Sequence, residues 1–162
     1  MRRQIAAAPA NLGNFQKTEI VRAFGTLFSI TWSKVNAVTA SKIISGYFRK
    51  PRRVGYEEKP ISVVAVAARK KIIGLVLLVP KRGGAVKALL LSETANHDAL
   101  HQLIELAEEW VKSRRRRKLY FIHPIADTSI ISSFVRHGYI AEGVLRSPYR
   151  EGQDAAVYAR FF

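Results

Sequence analysis

Apolar side chains recur every three or four positions through the first third of the chain. Within residues 15–35 the large ones are Ile20, Phe24, Leu27, Phe28, Trp32 and Val35. This spacing predicts an amphipathic helix. Residues 39–48 repeat the spacing and predict a second helix, with the hydroxyl of Thr39 or Ser41 as its N-cap. Residues 49–60 combine cations with prolines near both ends, which predicts a basic loop.

The hydrophobic period changes from helical to strand-like at Ile61. Residues 61–68 and 72–79 are short, rich in β-branched side chains and apolar on both faces. They predict a hairpin of strands buried on both sides, joined by a tight turn at 69–71. A second turn, Lys-Arg-Gly-Gly at 81–84, leads into a third predicted strand at 85–91.

The second half of the chain alternates helical and strand patterns. Residues 98–112 form a broad apolar face and predict a helix with Asn96 as its N-cap. A shorter helix is predicted at 129–137, ended by Gly138. Its inward residues are predicted to be Ile130, Ile131, Phe134 and Val135. Further strands are predicted at 119–123, 139–145 and 155–161. This order predicts an α/β fold in which residues 1–162 form a single domain, with helices on both faces of a mixed β-sheet.

Composition narrows the class of protein. Of the 162 residues, 48% are hydrophobic, which fits one globular domain with a real core. The sequence contains no cysteine, and this excludes disulfides, thiolate zinc sites and a cysteine nucleophile. The first residues lack the apolar segment of a signal peptide, and no apolar run approaches the ~20 residues that span a bilayer. We therefore expect a soluble cytoplasmic protein without a membrane partner.

A formal net charge of +15 predicts a partner that is a polyanion, such as nucleic acid. The candidate anion contacts are Arg52 and Arg53 in the basic loop, and Arg114, Arg115, Arg116 and Arg117 in the basic run at 112–118. A solvated basic surface is the alternative interpretation. His97 and His101 stand four residues apart, a spacing that can bind a metal, but a third ligand is not evident and we predict no metal site.

Two local patterns suggest a family. Residues 134–139, Phe-Val-Arg-His-Gly-Tyr, and residues 72–76, Ile-Ile-Gly-Leu-Val, occupy the last helix-to-strand junction and a central strand. With the order of elements, they resemble the GNAT superfamily of acyl-CoA N-acyltransferases, of which this chain would be a divergent member. The resemblance covers nearly the whole chain, although the strand with which that family usually opens cannot be placed before Phe15.

The resemblance implies that acyl-CoA, most simply acetyl-CoA, lies where two parallel strands part. Here these strands are 85–91 and 119–123. Backbone groups of Leu90, Leu91 and Ser92 would face the pantetheine and the acyl carbonyl. The pyrophosphate would lie at the start of the next helix, with hydrogen bonds from Thr94, Asn96 and His97. Residues 92–98 lack the glycines of the family's phosphate loop.

The resemblance also implies a base and an acid. Glu93 or His123 would deprotonate an amine; for His123 the alternative is a strand-end histidine that bonds the loop backbone. Many members of the family use a tyrosine as the general acid, four residues before the glycine that ends the last helix. In this chain that glycine is Gly138, and the position of the tyrosine is taken by Phe134. The remaining candidates for the acid are Ser133, Tyr139, His123 and Tyr149, and we include Tyr139 among the catalytic candidates.

The expected function is therefore acetyl-CoA-dependent transfer to an amine. The alternative is a catalytically silent module of the same fold that binds nucleic acid or a protein. A homodimer is left open.

Overall fold

The structure, a computed structural model, describes residues 6–32, 37–48, 61–93, 97–149 and 151–162. Its α-helices are α1 (Lys17–Thr31), α2 (Ala37–Phe48), α3 (His97–Ser113) and α4 (Thr128–Arg136). Its strands are β1 (Ala8–Pro9), β2 (Ser62–Ala68), β3 (Lys71–Pro80), β4 (Ala85–Ser92), β5 (Lys118–Pro124), β6 (Ile140–Leu145) and β7 (Ala155–Phe161). The basic loop predicted at 49–60 lies outside the described residues, as do Val35 and Asn96.

The strands form one seven-stranded sheet in the order β1-β2-β3-β4-β5-β7-β6. Neighbouring strands run antiparallel except β4 and β5, which are parallel. Helices α3 and α4 pack against one face, and α1 and α2 pack against the other, so that each face has its own apolar core. The predicted α/β fold, with a mixed sheet covered on both faces, is confirmed.

The ends of α1 and β2 follow from local chemistry. At the start of α1 the Glu19 carboxylate accepts a hydrogen bond from the backbone N–H of Gln16 at 2.6 Å, as part of a capping box. The turn between β2 and β3 consists of Arg69 and Lys70, with φ angles of 48° and 61°. Two consecutive residues with positive φ give the two-residue turn whose twist matches the strands that it connects.

Several sequence expectations need correction. Helix α2 already begins at Ala37, so Thr39 and Ser41 lie inside it and neither is its N-cap. Val135 is 57% exposed and not inward, because α4 rests on the sheet through Ile130 and Phe134, which are four residues apart. Strand β2 is only partly buried, because its neighbour β1 is two residues long and leaves much of its surface uncovered.

The opening strand that sequence reasoning could not place is β1. Ala8 pairs with Ala67 and Pro9 pairs with Val66, both in β2. The side-chain amide of Gln102 in α3 donates a hydrogen bond to the carbonyl oxygen of Ala7 at 2.9 Å, which holds the segment against that helix. A two-residue strand is too short to show a hydrophobic period, and for this reason the sequence does not reveal it.

Candidate active site

Strands β4 and β5 part in the middle of the sheet. Their parallel pairing runs from Ala85 opposite Lys118 to Ala88 opposite Phe121 and then ends. Beyond this point β4 stays paired with β3 as far as Ser92, and β5 stays paired with β7 as far as Pro124. The two strands that the resemblance singled out therefore separate toward their carboxyl ends, and we call the resulting opening the gap.

The register decides which backbone groups of β4 face the gap. The N–H of Glu93 donates to the carbonyl oxygen of Ile73 in β3 at 3.1 Å. In an antiparallel ladder, alternate residues bond to the same neighbour, so Leu91 also directs its backbone groups to β3. Leu90 and Ser92 direct theirs to the gap. The expectation for Leu90 and Ser92 agrees with this register, whereas the expectation that backbone groups of Leu91 face the gap is wrong.

His123 lies at the end of β5 and is completely buried. Its Nε2 atom is 2.9 Å from Oδ2 of Asp127, the N-cap residue of α4. The hydrogen bond from His123 is the main reason why the pKa of Asp127 lies below its ordinary value, and the backbone N–H of Ile130 contributes in the same direction. An ionised Asp127 accepts the Nε2 proton, which leaves Nδ1 of a neutral imidazole as a proton acceptor.

Three buried polar atoms near His123 have no hydrogen-bond partner. They are Nδ1 of His123, Nε1 of Trp32 and Oε1 of Gln153, and they make up three of the four such atoms in the described part of the chain. The rings of Trp32 and His123 have centroids 6.3 Å apart, and the amide nitrogen of Gln153 donates to the carbonyl oxygen of Thr31 at 3.0 Å. Buried polar atoms rarely go without partners, so this concentration marks a place where a bound molecule can supply them.

Two helix N-termini open onto the rim of the gap. A narrow cleft lies between the end of β4, the start of α3 and the start of α4. It is lined by Ser92, Glu93, His97, Leu100, Asp127, Ser129 and Ile130. Backbone N–H groups at helix starts attract anions. Thr94 and Asn96, two of the expected phosphate contacts, lie outside the described residues, while His97 lines the cleft.

Glu93 occupies the rim itself. Its carboxylate lies 3.2 Å from Nζ of Lys71, and the two side chains are 40% and 74% exposed. Lys71 therefore offsets part of the negative charge that Glu93 brings to an anion site. Of the two candidate bases, Glu93 is solvent-accessible and paired with a lysine, whereas His123 is enclosed and paired with a carboxylate.

Phe134, at the position of the family's acid, and the candidate hydroxyl groups lie in different places. The Ser133 hydroxyl donates to the carbonyl oxygen of Ser129 within α4 at 3.3 Å. Phe134 is fully buried and stacks on Phe121, with ring centroids 4.6 Å apart. The Tyr139 hydroxyl donates to Oε1 of Glu108 in α3 at 3.0 Å, and burial followed by this carboxylate raises the pKa of Tyr139 far above its ordinary value. Tyr149 is half-buried, and its ring centroid lies 4.7 Å from that of Trp32. The Tyr149 ring therefore packs on Trp32 of the polar cluster, whereas the Tyr139 hydroxyl is bonded to Glu108.

Sequence reasoning missed Trp32, Asp127 and Gln153. The spacing of Trp32 from Phe24 and Phe28 predicts only a core side chain, and Trp32 is indeed buried with them. Asp127 carried a usable signal, because Asp-Thr-Ser directly before an apolar helical pattern is typical of an N-cap. Gln153 gave no signal, since its partner Thr31 is 122 positions away in the chain.

His101, His137 and the basic run lie apart from the gap and its cleft. Nδ1 of His101 contacts Nε2 of His137, and within the described ranges no group of three or more His, Asp or Glu side chains could hold a metal. Arg114, Arg115, Arg116 and Arg117 follow the end of α3, at the edge of the sheet opposite the gap. Arg52 and Arg53 lie outside the described residues.

None of the described helices has the length and the apolar content needed to cross a membrane.

Solved structures resemble the chain over nearly its full length. An acetyltransferase of the GNAT family from Streptococcus pneumoniae matches with a TM-score of 0.69 at 15% identity, covering 98% of this chain and all of that one. The chain has the GNAT fold. The ribosomal-protein-S18-alanine N-acetyltransferase from Escherichia coli matches with a TM-score of 0.69 at 10% identity, covering 96% and 94% of the two chains. The NatC complex bound to Gag peptide and CoA gives 0.67 at 13% identity, with 98% and 99% covered.

Sequence comparisons add nothing to this result. No protein-family profile matches the chain, and no curated protein matches its sequence. At identities of 10–15% the likeness establishes the GNAT fold alone, and the chemistry has to be argued from the residues at the gap.

Proposed function

We propose that the protein is an acyl-CoA-dependent N-acyltransferase in which His123 is the general base. The observation that carries this proposal is the buried His123–Asp127 pair beside a gap with unpaired backbone groups. Two of the matching solved structures are acetyltransferases and a third, the NatC complex, has CoA bound, and this supports an acyl-CoA as the donor. They lend no support to the alternative, a silent binding module.

The donor fits the residues on both sides of the gap. Backbone groups of Leu90 and Ser92 have lost their partner strand and can bond the amides and the acyl carbonyl of an extended ligand. The starts of α3 and α4, with His97 and Ser129 on the cleft wall, offer donors to phosphates. Bound acyl-CoA would supply a thioester carbonyl that an amine can attack.

His123 is placed to remove a proton from that amine. Asp127 accepts a hydrogen bond from the Nε2–H group of His123, which fixes the ring and keeps Nδ1 as the proton acceptor. The same carboxylate stabilises a positive charge that develops on the ring. The N–H of Leu90 or Ser92 would stabilise negative charge on the carbonyl oxygen. Tyr149 is our candidate for the group that protonates the departing thiolate, since its ring packs on Trp32 at the gap.

Coenzyme binding is tested by thermal unfolding with acetyl-CoA. At about 100 times its dissociation constant a ligand adds ~2.7 kcal/mol of stability, which corresponds to roughly 5–10 °C for a chain of this size. No shift at millimolar acetyl-CoA would overturn the proposal.

Catalysis is tested by thiol release with a panel of amines and peptides. A thiol reagent has no background here, because the chain contains no cysteine. His123→Asn should keep the shift with acetyl-CoA and lower turnover by about 10²–10⁴-fold. His101→Asn, a matched change of an exposed histidine, should leave turnover unchanged. If Glu93→Gln abolished turnover and His123→Asn did not, Glu93 would be the base.

A further inference from the structure

A second surface gathers charge at the opposite end of the sheet from the gap. Three segments meet there, namely 81–82 before β4, 112–118 after α3, and 160–162 at the end of β7. We call them the basic end. Together they carry nine Lys or Arg residues and no Asp or Glu, although Lys118 pairs with Glu142 of β6 and Arg160 pairs with Glu108 of α3. This is a third of the 27 cations of the chain in 12 of its 162 residues, and a surface of this kind attracts polyanions.

Hydrogen bonds hold the three segments together. Arg117 donates from its guanidinium to the carbonyl oxygen of Gly83 at 3.1 Å and from its backbone N–H to that of Gly84 at 2.9 Å. The N–H of Phe162 donates to the carbonyl oxygen of Arg117 at 2.9 Å. The cations are therefore displayed on an ordered backbone and do not form a loose tail.

Aromatic rings stand among these cations. Phe161 is 69% exposed and Phe162 is 37% exposed. Nζ of Lys118 lies 5.1 Å from the ring centroid of Phe161, and Nζ of Lys112 lies 5.3 Å from that of Phe162. On the neighbouring turn of α3 the guanidinium of Arg114 covers the ring of Trp110 at 4.5 Å.

Favourable charge at the end of α3 explains only part of this surface. Cations in the last turn of a helix interact well with its dipole, and this accounts for Lys112 and its immediate neighbours. It does not account for Lys81 and Arg82, which belong to another element, or for a phenyl ring that is left mostly in water. Exposed rings beside cations suit a chain of stacked bases linked by phosphates.

We propose that the basic end binds single-stranded nucleic acid, with bases stacked on Phe161 and Phe162 and phosphates bound by the surrounding cations. Along β4, seven residue steps of about 3.3 Å separate Ala85, next to this surface, from Ser92 at the rim of the gap, which is roughly 23 Å. A strand bound at the basic end therefore leaves the gap open. The proposal does not depend on the function proposed for the gap.

The role of charge is tested with fluorescein-labelled 12-mers of oligo(U) and oligo(dT), read by fluorescence anisotropy across a salt series. A triple variant, Lys81→Ala, Arg82→Ala and Arg114→Ala, removes three cations from the basic end. It should lower the slope of log affinity against log salt by about 2, since each phosphate contact on a single strand contributes about 0.7. The control removes three cations elsewhere, by Lys42→Ala, Arg136→Ala and Arg146→Ala, and should change the slope little. Equal losses in both variants would overturn the proposal.

The role of the rings is tested separately. Phe161→Ala changes no charge and should weaken oligonucleotide binding at least fivefold, the lower limit for loss of one stacked base. Ile140→Ala, at a residue 72% exposed on β6, should leave the affinity unchanged. The wild-type protein should prefer the 12-mers to a 12-base-pair duplex and to vesicles of phosphatidylcholine and phosphatidylserine. Equal or tighter binding to the duplex or the vesicles, or no effect of Phe161→Ala, would overturn the proposal. A preference between oligo(U) and oligo(dT) would identify RNA or DNA as the ligand.

Discussion

The Tyr139 hydroxyl has either a structural or a catalytic role, and the substitution Tyr139→Phe tests which of the two it has. The substitution removes a hydroxyl from a side chain that is 2% exposed and that donates to Glu108, itself 7% exposed. Glu108 keeps its contact with Nη1 of Arg160 at 3.1 Å but loses one of its two short hydrogen bonds. We expect lower stability and unchanged chemistry.

The size of the loss follows from the charge on Glu108. A hydrogen bond to a charged group contributes about 1.5–3 kcal/mol. For a chain of 162 residues each kcal/mol shifts the melting temperature by about 2–4 °C, so Tyr139→Phe should lower it by roughly 3–12 °C. Tyr158→Phe is the matched control, because its ring packs against the same Phe134 but its hydroxyl does not bond Glu108.

Calorimetry and the thiol-release assay together decide the outcome. At a temperature well below both transitions, turnover of Tyr139→Phe should stay within about twofold of wild type. A general acid contributes about 10²–10⁴-fold. An unchanged melting temperature with a hundredfold loss of turnover would refute this reasoning and make the Tyr139 hydroxyl the acid.

Three further predictions concern stability. Because the pKa of Tyr139 is raised in the folded chain, the Tyr139 hydroxyl contributes fully to stability below its ordinary pKa of 10.0, and this contribution is lost as the pH rises above 10.0. The difference in unfolding free energy between wild type and Tyr139→Phe, measured by urea titration, should therefore be smaller at about pH 11 than at about pH 8, and an equal difference would contradict this. Burial, and then His101, lowers the pKa of His137 below 6.5, so the unfolded chain binds more protons and the melting temperature should fall from about pH 7.5 to 5.5; His137→Gln should flatten this profile, and an unchanged slope would count against it. Gly138→Ala, at φ 82°, should cost about 1 kcal/mol in urea unfolding, whereas Gly143→Ala, where a methyl group meets nothing, should stay within about 0.5; equal effects would refute the backbone argument.

The sequence predicted most of the fold because its long elements are strongly periodic. The predicted inward residues of α1 and its C-cap, namely Ile20, Phe24, Leu27, Phe28 and Trp32, are all buried. The sequence-based predictions failed where an element was too short for its hydrophobic pattern to show which residues face inward. Strand β1 has two residues, and Val135 is an apolar side chain on the solvent side of a nine-residue helix, where inward and outward positions are hard to separate.

The candidate site was predictable where it depends on strand ends and not where it depends on register. His123 and Ser92 terminate neighbouring strands, so their position at one edge of the sheet followed from the order of elements. The backbone groups of Leu90 point to the gap and those of Leu91 point to β3. This follows from the hydrogen bond between Glu93 and Ile73 in β3, which residue spacing alone cannot reveal. The contacts of His123 with Asp127 and Trp32 required the folded chain.

The short pairing between β4 and β5 has a mechanical consequence. Only four residue pairs join the half-sheet of β1 to β4 to the half-sheet of β5, β7 and β6. Apart from the short pairing of β1 with β2, the ladders within the two halves are longer and antiparallel, so among the joints between the longer strands this is where the sheet bends most easily. A molecule that bridges the gap acts as a brace across the joint, and amide hydrogen exchange at Leu90 and Ser92 would report its stiffening.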